Sequence, residues 1–231
     1  MYHKGTINHT EGFFMRKNFT EIVFILDESG SMSDLKSDTI GGFNSLIEKQ
    51  KSEDGEAVVS TVLFSTDSRV LHDRVPIERI EKMTDKDYCP NGGTALLDAV
   101  GDAVKHIGNI HKYARTEDVP EHTLFVITTD GMENSSRHYT ADKVKKMISR
   151  QQEKYGWEFV FLGANIDSVE TAESIGIGSA TAVDYCCDSD GCAVQYDAMC
   201  MAVSSVRRGK KLSESAAWRK GVDADHKNRK R

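Results

Sequence analysis

The sequence predicts a doubly wound α/β domain: a mostly parallel central sheet with one antiparallel edge strand and helices on both faces. Three observations predict it. From Glu21 onward, short β-branched and aromatic runs alternate with amphipathic segments, the pattern of strands buried on both faces under covering helices. One run, SRVLHDRV at 68–75, instead mixes Val70 and Val75 with charged neighbours after the short turn STDS, and so reads as an edge strand antiparallel to the run before it. The chain has 231 residues, 39% of them hydrophobic, which is enough for one such core and too little for two.

Residues 1–18 are polar and carry no period, so they read as a flexible N-terminal arm before a domain spanning 19–206. IVFILD (22–27), AVVSTVLFS (57–65), TLFVITTD (123–130) and EFVFLGA (158–164) are the central strands, and ATAVDY (180–185) is the far edge. Helical patterns occupy 38–51, 95–113, 141–155, 168–175 and 192–208. In the second of these, Leu96, Leu97, Val100, Val104 and Ile107 make one apolar stripe. Tyr113, Met199 and Met201 read as packing residues of the same kind.

The formal net charge of −6 is unevenly distributed: from Arg207 onward ten Lys/Arg face three acids, a net +7 that leaves −13 on the rest. A basic tail at 207–231 can contact nucleic acid or an acidic partner. However, only Trp218 offers a base-stacking ring and no reading motif is present, so a solvated terminal helix with a frayed end is the plainer expectation. No stretch reaches the roughly 20 apolar residues of a membrane span, and the start lacks an apolar signal segment. A cytoplasmic protein is expected. The five cysteines are odd in number, and Cys186, Cys187, Cys192 and Cys200 lack the paired C-x2-C spacing of zinc sites, which points to reduced thiols.

The segment IVFILDESGSMSD carries the functional signal. In an open parallel sheet, ligands sit beyond the carboxyl ends of the strands, and Asp27 lies at such an end. Extended alternation turns Asp27, Ser29 and Ser31 to one side and Glu28 and Gly30 elsewhere. In NGGTALLDA, Thr94 follows two glycines that permit close backbone approach and precedes a long helix. In ITTDGMENSS, Asp130 ends the strongest strand at the same edge of the sheet as Asp27. Oxygen donors without Cys or His suit a hard divalent cation, Mg²⁺ or Mn²⁺. Two plainer roles compete: Asp27, Ser29 and Ser31 could cap the next helix, and Asp130-Gly131 could be only a turn. Neither requires Thr94.

The set D-x-S-x-S at 27–31, Thr94 in G-G-T-A-L and Asp130 in T-T-D-G resembles the von Willebrand factor A domain with its metal-ion-dependent adhesion site, over about residues 20–206. The resemblance implies that the two Ser hydroxyls bind the ion directly, with Thr94 joining them in the ligand-bound state. Asp27 and Asp130 would bind directly or through water, and an acidic side chain of a partner protein would take the last position. It implies an interaction module and not an enzyme, of the stand-alone intracellular kind found in bacteria and phages. Partners of such modules include AAA+ ATPases and components of stress or repair complexes. The loops carrying Glu28, Met32, Tyr88 and Met132 are expected to form a specificity rim. Asp27 after a strand is also similar to haloacid-dehalogenase phosphatases, but the second Asp of that motif is here Ser29, so the acid for the leaving group is missing.

Overall fold

The computed structural model describes residues 16–229. Most of the expected arm, residues 1–15, lies outside the described residues, and residues 16–18 open the first strand. The strands are β1 (Arg16–Asp27), β2 (Glu56–Phe64), β3 (Ser68–Pro76), β4 (Pro120–Thr129), β5 (Glu158–Gly163) and β6 (Ala182–Asp184). They form one sheet in the order β3-β2-β1-β4-β5-β6. β1 is parallel to β2 and β4, β4 to β5, and β5 to β6, while β3 pairs antiparallel with β2 as an edge strand. The helices are α1 (Lys36–Lys51), α2 (Leu96–Tyr113), α3 (Ala141–Tyr155), α4 (Ser168–Ser174), α5 (Ser189–Arg207) and α6 (Lys220–Arg229).

Alternation along β1 builds both layers of the core. Ile22, Phe24 and Leu26 join Phe43, Leu46, Met199 and Val203 under α1 and α5. Val23 and Ile25 face the other way, toward Val100, Val104, Val144 and Ile148 of α2 and α3. Sequence signals mark the helix ends. Thr140 caps α3 by accepting from the Lys143 amide, and Gly156 closes that helix at φ 66°. The Asp188 side chain caps α5 by accepting from the Gly191 amide.

Two of the expected packing residues are exposed. Met199 is fully buried, but Tyr113 is 78% exposed and Met201 is 48% exposed. Tyr113 is the last residue of α2, with the Lys112 ammonium over its ring. Met201 lies two residues from Met199, about 200° around the helix and therefore on its outer face.

Through residue 229, the basic C-terminal segment packs back on the domain. Leu212, Trp218 and Val222 are buried against the domain, and Arg219 donates to the carbonyls of Ser179 and Ala180 at 2.8 and 3.1 Å. The expected terminal helix is present as α6, but it is docked and not solvated, because Val222, the single large apolar residue of KGVDADHKNR, is buried. Among the described residues no helix is long and apolar enough to cross a membrane.

Arg207 ends α5 and fixes the turn between α1 and β2. Its guanidinium, largely buried, donates to the carbonyls of Gln50 (2.5 Å), Glu53 (3.3 Å), Asp54 (3.3 Å) and Gly55 (2.9 Å). Arg207→Ala would remove the charged donor from all four carbonyls, of which that of Gln50 keeps the Glu53 amide at 3.3 Å. We expect it to lower the unfolding free energy by about 1.5–3 kcal/mol, read from the urea midpoint.

Candidate metal centre

Three loops meet at the carboxyl ends of β1 and β4. Asp27 is the last residue of β1 and is almost completely buried. Its Oδ1 accepts from the Ser29 amide at 2.7 Å and its Oδ2 from the Thr129 hydroxyl at 2.6 Å. The Ser31 hydroxyl donates to Asp130 Oδ1 at 2.6 Å, so the 3.0 Å contact between the two serine oxygens has Ser29 as its donor. Ser29, Ser31 and Asp130 thus form a one-way relay of hydrogen bonds. Each hydroxyl has its hydrogen engaged inside the cluster and keeps lone pairs for another acceptor of electrons.

Thr94 stands on the adjacent loop. Its amide donates to Asn134 Oδ1 at 2.9 Å, and its carbonyl accepts from the amides of Asn134 and Ser135. Its hydroxyl oxygen lies 3.8 Å from where a Cβ on Gly131 would sit, which places it beside the Asp130 turn. The double glycine makes this closeness feasible. Gly92 has φ 68°, and a Cβ there would come within 2.5 Å of Thr66 Oγ1; at Gly93 it would come within 2.2 Å of Ser135 Oγ.

The capping role is not what the structure shows. Ser29 precedes a 3-10 turn at Gly30–Leu35 without a side-chain capping bond, and α1 likewise starts without one. The hydroxyls are directed at each other and at Asp130 instead.

The electrostatics of the cluster favour a cation. Burial is the largest influence on the Asp27 carboxyl and pushes it above the ordinary carboxylate range, against the hydrogen bonds from Ser29 and Thr129, and neighbouring Asp130 adds to the rise. Burial and Asp130 likewise push up the Cys187 thiol, whose sulfur lies 3.9 Å from Asp130 Oδ2. Nearby negative charge is thus held at a cost that a bound cation would relieve. The spacing also fits: adjacent ligands on an octahedral ion with bonds of about 2.1 Å lie about 3 Å apart, and the serine oxygens are 3.0 Å apart. Among the described residues no group of three or more His, Cys, Asp or Glu side chains is placed to hold a metal. This cluster offers two carboxylates and three hydroxyls instead.

The expected rim is largely absent. Glu28, Met32 and Tyr88 are buried, and only Met132 is exposed, at 74%. Tyr88 turns inward because its hydroxyl donates to the Asp27 carbonyl, and Glu28 because it pairs with Arg69. Sequence reasoning also missed Thr129, which reaches Asp27 because the register sets Leu26 beside Thr128; the second Thr of ITTD was the available signal. It missed Glu133 as well. That side chain accepts from the amides of Leu97, Ser135 and Ser136 at 2.9, 2.9 and 2.7 Å, and so ties the Asp130 loop to the start of α2.

No protein-family model matches the chain, and no curated protein matches it. Solved structures do. Proximal thread matrix protein 1 from the mussel byssus is 14% identical, with a TM-score of 0.53, over 80% of this chain and 46% of that one. A von Willebrand factor type A structure from Catenulispora acidiphila is 15% identical, with a TM-score of 0.52, over 80% of this chain and 43% of that one. The manganese-loaded TRAP protein of Plasmodium vivax is 16% identical, with a TM-score of 0.51, over 76% of this chain and 71% of that one. The chain spans about half the length of the first two. Its fold is that of a von Willebrand factor A domain.

Proposed function

We propose that the chain is a metal-dependent protein-interaction module of the von Willebrand factor A type, without catalytic activity, in which Asp27, Ser29, Ser31, Thr94 and Asp130 hold Mg²⁺ or Mn²⁺. The observation that carries this reading is the Ser29, Ser31 and Asp130 relay, with both hydroxyls turned away from capping. The manganese in the TRAP structure supports a cation in this fold. A bound divalent cation supplies an electrophile with an open coordination position, which favours a carboxylate of a partner protein. Thr129 and the Ser29 amide orient the Asp27 carboxylate, while Asn134 and Glu133 hold the Thr94 loop. Five free thiols fit a reducing cytoplasm, where AAA+ ATPases and stress or repair complexes supply candidate partners.

Calorimetric titration with Mn²⁺ tests the site. One binding event is expected for the wild type and none for Ser29→Ala or Asp130→Ala. Because the apolar layers are independent of the ion, EDTA should leave the far-UV circular dichroism unchanged, unlike a domain whose core is its metal. Mn²⁺ binding unchanged from wild type in both variants would overturn the assignment.

A further inference from the structure

Glu28 sits between two candidate ligands, Asp27 and Ser29, yet its carboxylate serves neither. Its side chain is 5% exposed and lies 2.8 Å from an Arg69 terminal nitrogen, with Arg69 Nε at 3.3 Å from the other oxygen. The Cys89 amide donates to the same carboxylate. Its backbone is fixed as well: the amide donates to the Phe64 carbonyl at 2.6 Å, and the carbonyl accepts from the Asn91 amide at 2.9 Å. Arg69 also donates to the Asp87 carbonyl. One residue therefore ties the 27–31 loop to the end of β2, to β3 and to the 84–91 loop.

Resting on the metal reading above, we propose that Glu28 and Arg69 are a positioning pair that sets Ser29 and Ser31 for the cation from outside the ligand shell. The forked guanidinium fixes the plane of the Glu28 carboxylate. Backbone alternation then passes that orientation to the serines on either side of Gly30, whose own amide is held by the Gly92 carbonyl at 3.1 Å. Arg69 is 46% exposed at its side chain, so it can be replaced without opening the core.

The sign of the effect separates positioning from simple electrostatics. Arg69→Met removes a positive charge near a cation site, and charge alone would tighten Mn²⁺ binding. Positioning predicts the opposite. We expect Arg69→Met to weaken Mn²⁺ binding by tenfold or more, measured by calorimetry and by the paramagnetic resonance signal of free Mn²⁺, at a temperature where circular dichroism shows wild type and variant equally folded. Arg69→Lys keeps the charge but lacks the fork, and it should recover part of the affinity. Unchanged or tighter binding in Arg69→Met overturns the inference while leaving the metal site standing. If Arg69→Met does not fold, Arg69→Lys decides: a loss of at least threefold supports positioning, and wild-type affinity overturns it. Absence of Mn²⁺ binding in the wild type overturns the metal reading, and the positioning role with it.

Discussion

Glu21→Ala is expected to lower the unfolding free energy by about 3–5 kcal/mol, the range for breaking a buried ion pair from one side. Glu21 lies within β1 and is fully buried. Its two oxygens are divided between Arg74 Nε at 2.8 Å and His111 Nε2 at 2.6 Å. Arg74 in turn occupies a left-handed conformation, φ 51°, where the β2 and β3 pairing shifts register. Its amide is held by Ser60 Oγ at 3.0 Å. Removing the carboxylate leaves a partly buried guanidinium without its counter-charge and a gap in the central strand. Urea denaturation reads the loss. Glu21→Met combined with Arg74→Met should recover most of it, because an apolar pair of similar volume needs no desolvated charge. A single-variant loss under about 1 kcal/mol would place the pair among solvent-screened contacts.

The second large effect concerns the partner. Mutating the partner's metal-binding acid to alanine is expected to weaken binding at least tenfold, within the roughly 2–5 kcal/mol seen when a buried charge pair is truncated. The chain as a whole carries −6, so long-range steering does not favour an acidic partner. On the proposed metal reading, local coordination would supply the attraction, through a single Glu or Asp on a neutral or basic surface. Met132, exposed beside Asp130, offers that surface an apolar contact. A double-mutant cycle with Asp27→Ala gives the check. Additive losses would mean that the carboxylate meets some other face of the domain.

Burial patterns made the architecture legible. The runs at 22–27, 57–65, 123–130 and 158–164 are apolar because both faces of those strands are covered, and each ends within about one residue of the carboxyl end of a strand seen in the structure. The antiparallel edge was legible because Val70 and Val75 alternate with charge. The first half of β1 was not. RKNFTE reads as polar, and Glu21 is tolerated there only through Arg74 and His111, partners that are 53 and 90 residues away. At the candidate centre, the ligand types and their strand ends could be read from order and alternation. The inward turn of Glu28 and Tyr88 could not, since it depends on Arg69 and on the Asp27 carbonyl, contacts that no spacing rule reveals.

The place of β1 at the middle of the sheet has a consequence for how the chain matures. Ile22 must pair with Val59 on one side and with Leu124 on the other, so this strand is synthesised 102 residues ahead of its second flank and waits for it uncovered on that side. Topologies dominated by such distant pairings fold slowly and leave sticky edges exposed meanwhile. A nascent chain halted before β4 would display Val23, Phe24 and Ile25 along an open ladder. Bringing Asp130 up beside Ser31 would have to await β4, so competence for a partner would arrive only once that strand had docked.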